Sequence, residues 1–351
     1  MSIDRATRLL GIRYPIVQAP MVGVSTPALA AAVSEAGALG SLGLGGSSVA
    51  QARELIAHTR AITARPFNLN LFCHAPSGHD PARSAAWIAH WAPHFERLGA
   101  PVPTELKPPY QSFLANEPML ELLLAERPAV VSFHFGVPPA DWIKALKARG
   151  IVTLGCATTL AEAQAVEQGG IDAVVAQGFE AGGHRGVFDP SQDDQLGLHA
   201  LLPQLAGQVR VPVIAAGGIM DAAGIQAALA AGASAVQMGT AFLLCPEAST
   251  TAAHRAALSS AQARHTRVTT CVSGRPARGL PNALYLEQHS SPYPQPAEFP
   301  LAYDLSKQLN TLATPSTAYA AQWAGQGAPL AQALPASTLI QQWTALLPLE
   351  A

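Results

Sequence analysis

The chain has 351 residues, 49% of them hydrophobic and only 13% charged, with a formal net charge of -2; an average soluble domain carries roughly 25% charged residues. That balance describes a large core under a nearly neutral surface and excludes the electrostatic footprint of a nucleic-acid or anionic-membrane binder. The expected partner is a small molecule, with the chain acting as a monomer or homodimer.

In chain order, the first fourteen residues carry Asp4, Arg5, Arg8 and Arg13 without an apolar run, so no signal peptide is expected. Eight short apolar, β-branched runs follow, at 16–19, 38–42, 67–72, 130–135, 152–155, 173–177, 213–216 and 235–238. Such continuous apolar runs are how parallel strands buried on both faces read. Helices are predicted between them at 27–35, 49–58, 119–126, 139–149, 160–168, 198–205 and 222–230. Several start on a capping side chain (Thr26, Ser48, Thr159, Asp221) and several end at glycine (Gly37, Gly150, Gly169, Gly232). The alternation leaves an open doubly wound sheet or a closed α/β barrel, and the count of eight favours a (β/α)8 TIM barrel. The apolar stretch 214–244 is interrupted by Asp221, Gln226 and Gln237, so it reads as core and not as a membrane span.

Two segments depart from the repeat. Residues 74–117, rich in Pro, Trp and His, form an insertion after the third strand. Beyond 244 the strand pattern stops: helical stretches at 247–263, 302–312 and 337–347 flank a Pro/Gly-rich region at 275–300. The expected organisation is a barrel over 1–244, a largely helical segment over 245–334 that covers its mouth, and a C-terminal helix in 335–351 that packs on the barrel. The cysteines Cys73, Cys156, Cys245 and Cys271 stand far apart with no C-x-x-C pair. This argues against a disulfide framework or a zinc site and suits a cytoplasmic setting.

Barrel enzymes place their chemistry at the C-terminal strand ends, often with a phosphate on the last two loops. The seventh predicted strand runs into Ala216-Gly217-Gly218-Ile219, and the eighth into Gln237-Met238-Gly239-Thr240. Glycine lets the main chain approach a ligand closely, and N–H groups with a helix dipole suit a phosphate dianion. A tight turn alone also wants glycine, but here glycines stand at both of the expected strand ends, beside a Thr hydroxyl. No G-x-G-x-x-G follows the first strand, which disfavours a Rossmann fold.

With these, Gln18-Ala19-Pro20-Met21, Asn68-Leu69-Asn70, Ser132-Phe133-His134-Phe135-Gly136 and Gln177-Gly178-Phe179-Glu180-Ala181-Gly182-Gly183-His184-Arg185-Gly186 make the chain resemble the nitronate monooxygenases of the bacterial class I type. The resemblance spans nearly the whole barrel. It implies an FMN cofactor lined by Ala19, Pro20, Met21, Asn70, Gln177, Gly182, Gly183, Gly217, Gly218, Gln237, Met238, Gly239 and Thr240. It implies oxidation of an alkyl nitronate such as propionate 3-nitronate, with O2, to a carbonyl compound and nitrite. His134, at the end of the fourth strand, is then the catalytic histidine, acting as a base or, as favoured here, anchoring the anion. The plainer alternative is a half-buried histidine held by a backbone carbonyl. His184 reads as a loop-shaping residue or a second participant. Tyr303 and Lys307, four apart on a predicted helix, are an exposed pair or, by the resemblance, substrate contacts. Arg185 is expected near the phosphate or in water, and Glu180 with the acidic stretch 189–194 as solvated loop charge, with no metal site. An NAD(P)H-dependent quinone or enoyl-thioester reductase on the same barrel is the runner-up, and a non-catalytic flavin binder the third reading.

Overall fold

A computed structural model of the chain describes residues 3–76, 78, 80–288 and 293–347. Its strands in chain order are β1 (Ile16–Gln18), β2 (Gly40–Gly43), β3 (Phe67–Phe72), β4 (Val130–His134), β5 (Val152–Ala157), β6 (Ala173–Gln177), β7 (Gly183–His184), β8 (Val213–Ala216), β9 (Ala235–Met238), β10 (Arg267–Thr269) and β11 (Ala277–Gly279). Eight of them form one parallel sheet in the order β1-β9-β8-β6-β5-β4-β3-β2. The ring closes where Gln18 N donates to Leu39 O and Leu39 N to Ile16 O, each at 2.9 Å. This is a (β/α)8 barrel, and each of the eight predicted runs is one of its strands, with ends shifted by no more than two residues.

The helices between strands begin where short polar side chains satisfy orphan N–H groups. Thr26 accepts from Leu29 N, and Ser48 with Gln51 forms a reciprocal capping box. A helix that the sequence did not announce, Ile3–Leu10, sets Ala6 and Leu10 against Val130, Ala173 and Ala235 at the strand starts. It plugs that end of the barrel, so the open end is the C-terminal mouth.

The insertion and the C-terminal segment meet over that mouth. Trp87, Trp91 and Phe95 of the helix Pro81–Arg97 pack with Leu301, Leu305 and Leu309 of the helix Leu301–Ala313, forming a second hydrophobic core. The segment beyond 244 is less helical than expected. It contributes β10 and β11, which join β7 in an antiparallel sheet of order β10-β11-β7, with Ala277 opposite His184. The stretch 247–263 is a short helix, Ala252–Leu258, and a 3-10 turn, Ala261–Arg264. Three-residue strands are too short to show alternation, so they escape a periodicity reading. The last helix, Ala336–Thr344, lies on the barrel's outer surface against Pro27–Glu35 and Ala222–Ala230, its Trp343 ring 5.5 Å from that of Phe242. All four cysteines are free and buried. No helix among the described residues is long and apolar enough to cross a membrane.

Candidate active site

Barrel mouth and cap enclose a cavity of about 550 Å³. Ala19, Pro20 and Met21 enter its wall from the end of β1, Asn70 from β3, His134 from β4, and Gln177 from β6. The loop after β6 adds Gly182, Gly183 and His184, and the ends of β8 and β9 add Gly217, Gly218, Gln237, Met238, Gly239 and Thr240. From the cap come Tyr303 and Lys307. Residues 288 positions apart in sequence (Ala19 to Lys307) thus face one space because every barrel strand ends at the same rim.

On one side the wall is a main-chain cradle. Gly217 and Gly218 have φ of +124° and +71°, which only glycine adopts without strain. Among the described residues, none accepts a hydrogen bond from the N–H of Gly217, Gly218, Gly239 or Thr240. Four N–H groups without a protein acceptor thus stand on two adjacent loops of the wall, and uncommitted main-chain N–H groups of this kind suit an anion. The cradle is closed from the cap, where Gly325 N donates to Thr240 Oγ1 at 2.9 Å.

On the other side stands His134. Its Nε2 is 3.2 Å from the carbonyl of His184, which only accepts, so Nε2 carries the hydrogen and Nδ1 the lone pair. Gln177 Nε2 donates to the same carbonyl at 3.0 Å. Burial, followed by the charges of Arg275 and Arg185, outweighs that hydrogen bond and lowers the His134 pKa to about 4. His184, hydrogen-bonded from Nε2 to Ser273 Oγ at 2.8 Å, is lowered to about 3 by burial and then by His134, Arg275 and His74. Both imidazoles are neutral at pH 7. The plain reading of His134 is what the geometry shows, a ring held by a carbonyl, and the ring also lines the cavity.

Against known proteins, residues 4–345 match the family model described as nitronate monooxygenase. The chain belongs to the nitronate monooxygenase family. It is 55% identical to a nitronate monooxygenase of Pseudomonas aeruginosa over 96% of this chain and 97% of that one. A nitronate monooxygenase of Paraburkholderia phytofirmans is 54% identical over 95% of this chain and 92% of its own length. Among solved structures, a nitroalkane oxidase from Streptomyces ansochromogenes superimposes with a TM-score of 0.89 at 40% identity, covering 97% of each chain.

Within this nitronate monooxygenase scaffold, several side chains differ from their sequence reading. Arg185 neither lines the cavity nor faces water. It is fully buried and paired through Nε and Nη2 with the two oxygens of Asp193 at 3.0 and 3.1 Å, while Nη1 donates to Gly178 O at 2.9 Å. Asp193 is therefore a buried counter-ion, not a solvated loop charge. Glu180 accepts from Leu198 N at 2.9 Å through both oxygens and so caps the helix Leu198–Leu205. Charge number alone does not reveal such pairs, because the partners lie in loops without periodicity. The Gln177 amide is spent on the loop after β6: Nε2 on His184 O and Oε1 on Gly186 N at 2.8 Å. Asn70 spends Nδ2 on Ser132 Oγ at 2.9 Å.

The sequence named Tyr303 and Lys307 but missed two residues that the cap sets beside them, Tyr110 and Trp323. Tyr110, from the insertion, stands with its ring centre 6.0 Å from Tyr303, and Lys307 Nζ lies 5.0 Å from the Tyr303 ring centre and 5.7 Å from that of Tyr110. Burial raises the pKa of both tyrosines. Among the described residues, Lys307 forms no ion pair. Trp323, hydrogen-bonded to Tyr303, packs its ring 5.2 Å from His184. Nothing in the sequence marks Tyr110 or Trp323, since neither lies in a motif or a periodic element.

Proposed function

We propose that this chain oxidises alkyl nitronates, propionate 3-nitronate among them, with O2 to a carbonyl compound and nitrite, using FMN. One observation carries the reading: a neutral histidine and an unpaired lysine face the same cavity whose opposite wall is a nest of four free N–H groups. The nest suits the flavin phosphate, and the free Oδ1 of Asn70 with the main chain of Ala19, Pro20 and Met21 suits the ring system. Gly182, Gly183, Gln237 and Met238 complete the wall. When bound, the flavin supplies the one-electron redox chemistry.

The protein's own residues divide the remaining work. Lys307, held between two tyrosine rings, offers the uncommitted positive charge that draws in and orients an anionic substrate. His134 has its Nε2–H committed to a carbonyl and offers a lone pair at Nδ1, so it can take the α-proton of a neutral nitroalkane, while the nitronate anion, which has no donor to give it, is held by Lys307. From the cap, Tyr110, Tyr303 and Trp323 line the same space with aromatic rings, which favours displacement of water when substrate binds. A cytoplasmic location belongs to the same proposal and is supported by four unpaired cysteines.

The deciding experiment is nitrite release from a nitronate without NAD(P)H, followed by anaerobic addition of the nitronate to the flavin-loaded protein. Bleaching of the flavin supports the proposal. Flavin that stays oxidised with nitronate but is bleached by NADH in stopped flow replaces it with the reductase reading, and flavin inert to both replaces it with a binding protein.

A further inference from the structure

We infer that Arg275 is a positioning residue of this site: it fastens the loop bearing His184 to the strand end bearing His134 and places an unpaired positive charge behind both rings. The inference rests on the reading of His134 as the substrate-facing histidine.

Arg275 is buried and reaches three elements at once. Nη1 donates to Val187 O at 2.7 Å and Nη2 to Phe188 O at 3.1 Å, both on the loop three residues beyond His184. Its guanidinium lies 4.6 Å from the ring centre of Phe135, the residue after His134, and 5.7 Å from that of Phe299 in the cap. Phe135 has a φ of +74°, a left-handed conformation that a bulky residue keeps only when its surroundings hold it. The neighbouring chain repeats the fastening: Arg185 N donates to Pro276 O at 2.8 Å, and Ser273 Oγ bonds His184 Nε2. Segment 273–276 is thus a clasp joining the β6 loop to the end of β4, with Arg275 at its centre.

The clasp is also electrostatic. A guanidinium this buried normally has a carboxylate partner, yet Arg275 forms no ion pair among the described residues. Asp189 and Glu162 act on it only from a distance. Glu162 is occupied by Thr158 N at 2.6 Å and Phe188 N at 2.7 Å. The charged groups around the two rings are Arg275 and Arg185; the other titratable ones are His74, the Tyr303 phenol 6.5 Å from the His184 ring and the Cys156 thiol beside His134, with the His134 and His184 rings on either side of Phe135. Arg185 is neutralised by Asp193, so Arg275 is the uncompensated cation of the set. It disfavours a second positive charge on either imidazole and leaves a positive potential in the wall that receives an anion.

The test is an NMR titration of the histidine ring protons in the flavin-loaded protein, which does not depend on which substrate is turned over. R275Q removes the charge while keeping a donor for the loop carbonyls; R275K keeps the charge. The His134 midpoint is expected to rise by about one unit in R275Q and to stay within about half a unit of wild type in R275K, since one unit is a tenfold change in the protonation equilibrium. Turnover of a nitronate in R275Q should fall about tenfold in kcat/KM with flavin still bound. A folded R275Q with an unmoved His134 midpoint overturns the inference. Should R275Q not fold, the wild type decides: a His134 midpoint near the free-imidazole value overturns it, and a neutral ring down to pH 5 together with a raised midpoint at higher salt supports it.

Discussion

His134 donates its Nε2–H to the main-chain carbonyl of His184, 3.2 Å away, so the two histidines are joined ring to backbone. The bond fixes the tautomer of His134 and directs its remaining lone pair to Nδ1. Replacing His134 by Asn keeps a polar side chain but loses that lone pair. We expect kcat/KM for a neutral nitroalkane to fall roughly 10²-fold and that for the preformed nitronate to fall much less, with flavin retained. Steady-state kinetics on both substrate forms check this, and equal rates to wild type would refute the assignment.

Among the described residues, Lys307 is a cavity-lining cation without an ion pair. Lys307→Met should raise KM for an anionic nitronate about tenfold with little change in kcat, the signature of an interaction shared by bound substrate and transition state. The wild type should lose kcat/KM as salt is added, and the variant should be less sensitive. Identical salt dependence in the two proteins would contradict the role.

Four buried histidines govern the acid stability. Burial lowers His74, His134 and His254 to about 4 and His184 to about 3, whereas an unfolded histidine titrates near 6.5. Between those values the unfolded chain binds more protons than the folded one, so stability rises with pH through this window and is lost as pH falls. Each buried histidine costs up to about 2 kcal/mol at pH 5. Melting curves should show Tm dropping from pH 6.5 toward pH 4 and level between pH 7 and 8; a Tm unchanged down to pH 5 would be inconsistent with neutral burial.

Gly182 and Gly183 adjoin in sequence but fail for different reasons when given a side chain. A Cβ on Gly182 would sit 2.5 Å from Gly325 N, forcing apart the loop and the cap segment that meets Thr240. A Cβ on Gly183 would meet nothing within 4 Å, but its φ is +74°. Gly182→Ala should weaken flavin binding at least about tenfold and cost about 2 kcal/mol through overpacking. Gly183→Ala should cost about 1 kcal/mol of backbone strain and leave flavin affinity nearly intact. Flavin titration and thermal melts of the two variants separate these effects.

The Arg185–Asp193 pair has side chains only 1% and 7% exposed. Asp193→Asn leaves a buried guanidinium without its counter-ion and should cost about 3–5 kcal/mol, read from urea unfolding. A loss below 1 kcal/mol would show that the loop relaxes and lets water in.

Much of the barrel was readable in the chain. A parallel strand covered on both faces reads as a nearly continuous apolar run, and Val213 to Ala216 shows this without ambiguity. His134 and the glycine pairs stood out for a related reason, because barrel topology assigns a direction to every strand and so tells which end carries ligands. A covering segment was expected beyond 244, but how the cap packs was not readable. Trp87 and Leu305 share a core across more than two hundred residues, and no local period encodes a pairing at that distance. β10 and β11 are too short to alternate, and Arg185, Asp193 and Glu180 look in the sequence like any loop charges.

By itself, then, the sequence determined the order of the βα units, the glycine loops at the ends of the last two, and the histidine at the end of the fourth. These depend on local propensity and on a topology that fixes which strand ends meet. Only the tertiary structure decided which His134 nitrogen keeps its lone pair, which charges are buried against partners, and that Tyr110, Trp323 and Arg275 join the site. Those are properties of contacts between distant segments, where distance and burial, not residue type, set the protonation state and the free charge.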